Sequence, residues 1–372
     1  MLNRLPRPAA LLFALVLLVM SIWCLTATPP PIKIAKKGGY TDVHLYHDIA
    51  AATAKGKPYH QAAAEAQRAH HYPLKPFLTM RLPTLNWLAV QFGWRGVQKI
   101  AFCALFAAIF AWVIALEGTL HGLERIGIAI ALAAGGGSIA DPAILALHEY
   151  LAGIFLALAL AGVFGWPRRW WLILLPAAAA LAIRELALPF VLLATCFAVY
   201  DRRWREVAGW AALVVAFIAA MVLHAHAVAP QVRTGDIVSQ GWNAAQGFSA
   251  FLKAVIFTSV LQSLPLGLAL LAAMLPMVGW LALPGRSGAF AVLLFAGYAA
   301  MIAMFSRPDT FYWGAIVMPA YFIGFALLPR AFWQLSEAVR RAPPSAPPSP
   351  PELHADACGL EPQTVEAVQI PM

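Results

Sequence analysis

Charge is scarce in this chain. Of 372 residues only 12% are Asp, Glu, Lys or Arg, against about 25% in an ordinary soluble domain. Cysteine is nearly absent as well: Cys24, Cys103, Cys196 and Cys358 are scattered, three in apolar runs and one near the end. That spacing gives neither a zinc site nor a disulfide framework. Nothing follows a strand-glycine-loop-helix order: Gly135-Gly136-Gly137 lacks the Lys-Ser/Thr of a phosphate loop and reads as the end of an apolar run. What is plentiful is apolar side chain, 61% of the sequence, with a mean hydropathy of +0.72. Soluble folds, disorder and disulfide scaffolds are excluded by these values. The net charge of +9 would suggest nucleic acid in a soluble protein. In an apolar chain, membrane topology accounts for part of that excess, and no nucleic-acid partner is expected.

A spanning helix needs about 20 apolar residues. The stretch from Ala9 to Ala27 follows Arg4 and Arg7. It is longer than the roughly 7–15-residue core of a signal peptide, and Thr26-Ala27-Thr28-Pro29-Pro30-Pro31 is a poor cleavage context, so it reads as an uncleaved first span. Further apolar runs lie near 100–116, 126–140, 143–165, 170–183, 186–200, 207–227, 254–283, 289–305 and 311–329. The expected fold is therefore all-α and polytopic, with about ten transmembrane helices. Its parts are 1–28 (N-terminus and first span), 29–98 (a helical outer loop), 99–330 (the helical core) and 331–372 (a tail).

Basic residues stay on the cytoplasmic side of short loops. With both termini inside, that side carries Arg125, Arg168, Arg169, Arg202, Arg203, Arg205, Arg286 and Arg330. The parity requires 170–200 to be two short helices broken at Arg184-Glu185, which also keeps two charges out of the membrane centre. The tail holds Pro343-Pro344, Pro347-Pro348 and Pro350-Pro351, an extended linker leading into a disordered end.

The loop 29–98 is the one long hydrophilic stretch between spans. Thr41-Asp42 opens a helical pattern over Val43–Lys55 that stops at Gly56, with Pro58 beyond. A second helix is predicted from His60 to His71. A third begins at Pro83 with Leu85, Trp87, Leu88, Val90, Phe92 and Trp94, an amphipathic pattern suited to the membrane interface. Asp42, Tyr46 and Ile49 fall on one helical face, and Asp42 also stands where an N-cap is expected. His44, His47 and Asp48 have the i, i+3, i+4 spacing of a metal site; unpaired solvent-facing histidines are the commoner reading, and no metal is expected.

At the outer level of the spans, Asp141-Pro142 reads as the cap and first residue of the fourth span. His148 and Glu149 then fall in its second turn, facing inward. Arg184 lies at the same level. It is either a ligand for a departing phosphate or the partner of Glu149 or Glu185. Arg307, in Ser306-Arg307-Pro308-Asp309-Thr310, is a second phosphate candidate, and Arg233 and Asp236 are weaker ones.

Gly39-Tyr40-Thr41-Asp42-Val43-His44-Leu45-Tyr46, Gly56-Lys57-Pro58-Tyr59 and Tyr72-Pro73-Leu74 resemble the first-loop pattern of GT-C-type membrane glycosyltransferases. They are most similar to the bacterial branch of polyprenyl-phosphomannose-dependent mannosyltransferases. That branch carries an Asp soon after the first span, a Tyr four residues on, a Gly-x-Pro-Tyr turn and a Tyr-Pro-Pro segment. Here the last reads Tyr72-Pro73-Leu74-Lys75-Pro76. The resemblance is specific over 39–80 and general in span count and loop order.

It implies an inverting hexosyltransferase in the bacterial inner membrane, with loop helices capping a cavity on the periplasmic face. A polyprenyl-phosphate sugar, mannose for instance, would be the donor and an envelope glycan or lipid the acceptor, with no other cofactor. Asp42 would be the general base and Tyr46 would line the same cavity. His148, Glu149, Arg184 and Arg307 are the remaining substrate-binding candidates. Two rival classes use the same features: a transporter or flippase of lipid-linked sugars, and a non-catalytic scaffold of envelope assembly. Transporters often show two matched halves, and no internal repeat is visible here.

Overall fold

The computed structural model describes residues 2–27 and 39–341. The first ten residues of the outer loop, the proline-rich segment and Cys358 lie outside the described residues. Among the described residues the chain is helical, and its only β-type pairing is an isolated bridge between Lys75 and Val238. The α-helices are α1 (Arg7–Thr26), α2 (Asp42–Ala54), α3 (Tyr59–Ala69), α4 (Thr84–Ala115), α5 (Gly122–Gly136), α6 (His148–Gly165) and α7 (Trp170–Ile183). They continue with α8 (Leu188–Tyr200), α9 (Trp204–Val228), α10 (Phe248–Phe257), α11 (Leu266–Trp280), α12 (Gly285–Phe305), α13 (Met318–Tyr321) and α14 (Ile323–Arg340). Among the described residues, six segments are long and apolar enough to cross a membrane: Arg7–Thr26, Phe77–Ala115, Gly122–Ala140, His148–Gly165, Trp204–Gln231 and Gly285–Phe305. On α1 and α9 the apolar residues point outward, Leu12, Leu18, Val215 and Leu223 among them, each more than half exposed. Faces of that kind require lipid as solvent.

α6 is the central helix, buried along most of its length against α4, α7 and the 311–321 segment. Small residues permit the approach: a Cβ on Gly153 would stand 2.5 Å from the Ala315 carbonyl oxygen. Three of the polar groups in this core bond to backbone carbonyls. Trp112 Nε1 donates to the Ala157 carbonyl at 3.0 Å, Trp280 Nε1 to Tyr321 at 3.1 Å, and the Tyr321 hydroxyl to Ala273 at 2.8 Å.

The bundle has two distinct ends. One, the loop end, carries α2 and α3. The other, the basic end, carries the arginine-rich turns. The stretch 170–200 leaves from the basic end, breaks at Arg184 and returns to it, since Arg203 Nη1 donates to the Pro167 carbonyl at 3.3 Å.

Three expectations are corrected. The fourth span does not begin at Asp141-Pro142: the Asp141 carboxylate accepts from the Ala143 N–H at 2.9 Å, closing a local turn. Three-ten turns follow, and α6 starts at His148. His148 and Glu149 therefore occupy the first helical turn rather than the second. The apolar run 254–283 is not one span. α10 ends at Phe257, Ser259 caps a three-ten turn, and Pro265 precedes α11. The run 311–329 is likewise divided, and its last helix continues past 330 to Arg340. Ala331, Leu335 and Ala338 are buried there, and Gln334 Nε2 donates to the Ala282 carbonyl at 3.0 Å. The third loop helix ends at Gly93 (φ 67°, ψ 165°), a left-handed position that favours glycine, so α4 is two arms, 84–92 and 94–115, joined at a kink.

Candidate active site

The first loop has its own small core. Leu45 and Ile49 of α2 bury against Tyr59, Ala62 and Ala63 of α3, and Leu74 and Met80 close it from below. Three of the contacts that fasten this unit to the bundle are polar pairs of its second half. Arg68 grips the Asp236 carboxylate with two bonds, at 2.7 and 2.9 Å. The Leu74 N–H donates to Ile237 at 3.0 Å. His60 and His224 meet ring nitrogen to ring nitrogen at 3.2 Å. The pairing with Arg68 and the Arg233 N–H hold Asp236 well below the usual carboxylate range.

Between this unit and the 239–242 and 307–313 segments lies a cavity of about 620 Å³, ample for a sugar phosphate. Asp42 and Tyr46 line it from α2, Arg81 from the turn before α4, and Arg307 and Asp309 from the last loop. The N-cap of α2 is Thr41, not Asp42. The His44 ring nitrogen Nδ1 accepts from the Thr41 N–H at 3.2 Å and lies 2.8 Å from its hydroxyl, completing a capping box. Asp42 is thus the first helical residue, and the cap does not use its carboxylate. His44 is committed to this cap, Asp48 accepts from the Tyr40 hydroxyl at 2.7 Å, and the His47 ring packs 4.4 Å from Trp94. These three side chains face separate partners.

Tyrosines surround Asp42. The phenol of Tyr46 is pushed up to about 12, first by burial, with Arg81 opposing and Asp42 adding. Tyr72 is raised by burial and then by the charge and hydrogen bond of Asp42. Both hydroxyls therefore stay protonated beside the Asp42 carboxylate, whose lone pairs can take a substrate proton.

Arg307 is anchored rather than free. Its guanidinium pairs with Asp309 at 3.1 and 3.2 Å and donates to the Ser239 hydroxyl and the Gly241 carbonyl, both at 3.3 Å. Arg184, His148 and Glu149 do not line the cavity. Arg184 is 1% exposed and is held by Glu149, at 2.6 Å, and by Glu185. Of the two readings the sequence left open for Arg184, the geometry selects the ion pair. His148 touches the cavity wall only from behind, its ring edge-on to Tyr46 at 4.9 Å.

The cation that does reach the cavity with Arg307 is Arg81, which the sequence reading passed over. Its ion pair with Glu185 is long at 3.5 Å. Its trace in the sequence is slight: a lone Arg between Met80 and Leu82, both buried. The result is a charge chain of Glu149, Arg184, Glu185 and Arg81. It runs from the start of α6 through the α7–α8 break to the cavity wall. Compared with protein-family models, curated proteins and solved structures, the chain matches none.

Proposed function

We propose that this protein is a polytopic membrane glycosyltransferase that moves a hexose from a polyprenyl-phosphate donor to an envelope glycan or lipid. The observation that supports it is the meeting of Asp42, Arg81 and Arg307 in one cavity at the loop end. A carboxylate with an unused face and two guanidiniums is the set that displacement of a lipid phosphate requires. Asp42 accepts the proton of the acceptor hydroxyl as its oxygen attacks the anomeric carbon. The bond from that carbon to the phosphate oxygen breaks on the opposite side, so the configuration inverts. The electron pair leaves with the polyprenyl phosphate, whose charge Arg81 and Arg307 stabilise. Tyr46 and Tyr72 offer hydroxyls to the sugar and to Asp42.

In the membrane, α1, α4–α9, α11, α12 and α14 make ten passes. The loop end then faces the periplasm, and both termini lie in the cytoplasm, the basic end following the charge rule. The polyprenyl chain stays in lipid while its phosphate reaches the cavity at the interface.

The test is transfer by the purified protein from a panel of polyprenyl-phosphate hexoses to envelope acceptor fractions. Wild type should transfer from at least one donor. Asp42→Asn should lower the rate by about 10²–10⁴ while the melting temperature holds. Undiminished transfer by Asp42→Asn would remove the base. Wild-type inactivity with every donor, beside unimpaired export of a lipid-linked sugar, would favour the transporter class.

A further inference from the structure

A second cavity, of about 570 Å³, opens at the basic end, far along the bundle from Asp42. α7 and α8 meet at the Arg184 break and diverge toward this end. Trp170 and Ile173 form one wall and Ala194 and Phe197 the other, with Val163 and Phe290 beneath. The interior is apolar and the rim is cationic. Arg168, Arg203, Arg205 and Arg286 stand on it against two carboxylates, Asp201 and Glu206.

Those carboxylates are already engaged. Asp201 pairs with Arg203 at 3.2 Å and with Arg286 at 2.5 Å, while Glu206 takes Arg203 at 2.5 Å and the Trp210 indole at 3.2 Å. Arg168 and Arg205 are exposed, and no described carboxylate pairs with either. The rim thus carries an excess of two positive charges over an apolar interior.

We infer that this cleft binds an anionic phospholipid, with its phosphate between Arg168 and Arg205 and an acyl chain between α7 and α8. Three observations favour a lipid over a soluble anion. The apolar walls would stay uncovered beneath a bare phosphate. The exposed aromatics Trp171, Tyr200 and Trp204 ring the same level, as side chains at a membrane–water interface do. The two helices are also short, 14 and 13 residues. That is about 20 Å of rise against a hydrocarbon core of about 30 Å, and a lipid seated in the cleft fills the mismatch beside them. A basic pocket between spans on the cytoplasmic side is a recognised chemistry for acidic headgroups.

Native mass spectrometry of the full chain in detergent tests this, with diacyl phosphatidylglycerol, diacyl phosphatidylcholine and inorganic phosphate as separate probes. Phosphatidylglycerol should be retained at least tenfold better than phosphatidylcholine, and inorganic phosphate should not displace it. Arg168→Gln/Arg205→Gln should lose at least fivefold of that retention. Ala194→Trp, which fills the cleft and keeps the arginines, should lose as much. A diazirine in the acyl chain should crosslink to peptides within 163–173 and 194–210, a readout on wild type that survives any folding failure of the variants. Equal retention of the two lipids, full displacement by phosphate, unchanged retention in both variants, or crosslinks confined elsewhere would each overturn the assignment.

Discussion

The position of one hydroxyl decides what Asp42 is free to do. Because Thr41 and His44 cap α2, the stability and the proposed chemistry of this turn sit on neighbouring residues and separate experimentally. Thr41→Ala should cost about 1 kcal/mol, read as a lower melting temperature in detergent. Asp42→Ala should cost less stability than Thr41→Ala. The reverse order would return the cap to Asp42.

Arg184 shows the same logic inside the bundle. With 1% of its surface exposed and Glu149 at 2.6 Å, Arg184→Met strands a buried carboxylate, a loss of about 3–5 kcal/mol. The double variant Arg184→Met/Glu149→Gln should recover much of it. A stable Arg184→Met protein with impaired turnover would instead make this residue a donor ligand. The shared face of Asp42 and Tyr46 was legible because four-residue spacing is a local property of a helix. Arg81 was not, because its place is set by Glu185, which only the folded bundle brings near it.

Helix breaks were readable where charge marks them and hidden where it does not. Arg184-Glu185 announced the turn between α7 and α8. The run 254–283 concealed another behind uniform hydropathy, since Thr258, Ser259 and Pro265 barely dilute it. Within that region, packing demands more than hydropathy can express. A Cβ on Gly324 would stand 2.1 Å from the Pro276 carbonyl oxygen, whereas one on Gly297 of α12 meets nothing within 4 Å. Gly324→Ala should therefore force α11 and α14 apart at a cost of about 1–3 kcal/mol or more. Gly297→Ala should be neutral or gain up to about 1 kcal/mol from helix propensity. Thermal unfolding of the pair checks the contrast.

The docking of α3 on α9 is set by neutral rings. His224 Nε2 lies 3.0 Å from the Met80 carbonyl, leaving its Nδ1 to accept from His60. Burial, and then His224, push His60 below its ordinary value. A lowered histidine favours the folded loop above about pH 6.5. That contribution fades as pH falls from there toward the lowered value. Hydrogen exchange over 59–69, corrected for its intrinsic rate, should therefore be several-fold faster at pH 5.5 than at 7.5. His60→Asn should flatten the difference.

At the scale of the molecule, the contacts divide by end. Pro167 with Arg203, Phe197 with Arg286 and Glu124 with Arg330 gather at the basic end. Arg68 with Asp236 and Arg307 with Ser239 gather at the loop end. Counting arginines in short loops sorted these segments because the charge rule acts on each loop separately. It gave no warning of α10, whose two ends both lie at the loop end. The Gly247 N–H before it donates to Ala303 at the end of α12, and the Thr258 carbonyl after it accepts from Ser138 beyond α5. Although Ala250 through Ile256 are all buried, α10 therefore lies across the bundle and changes no side. Reporter fusions after Arg169, Arg205 and Arg286 should all report cytoplasm, and fusions near Ala64, Gln240 and Leu264 should all be exported. The pair at Leu264 and Arg286 is the sharpest. If α10 crossed and α11 crossed back, Leu264 would report cytoplasm and Arg286 export, reversing both signals. Opposite sides for Arg169 and Arg205 would remove the return of α8 to the basic end, and with it the cleft between α7 and α8.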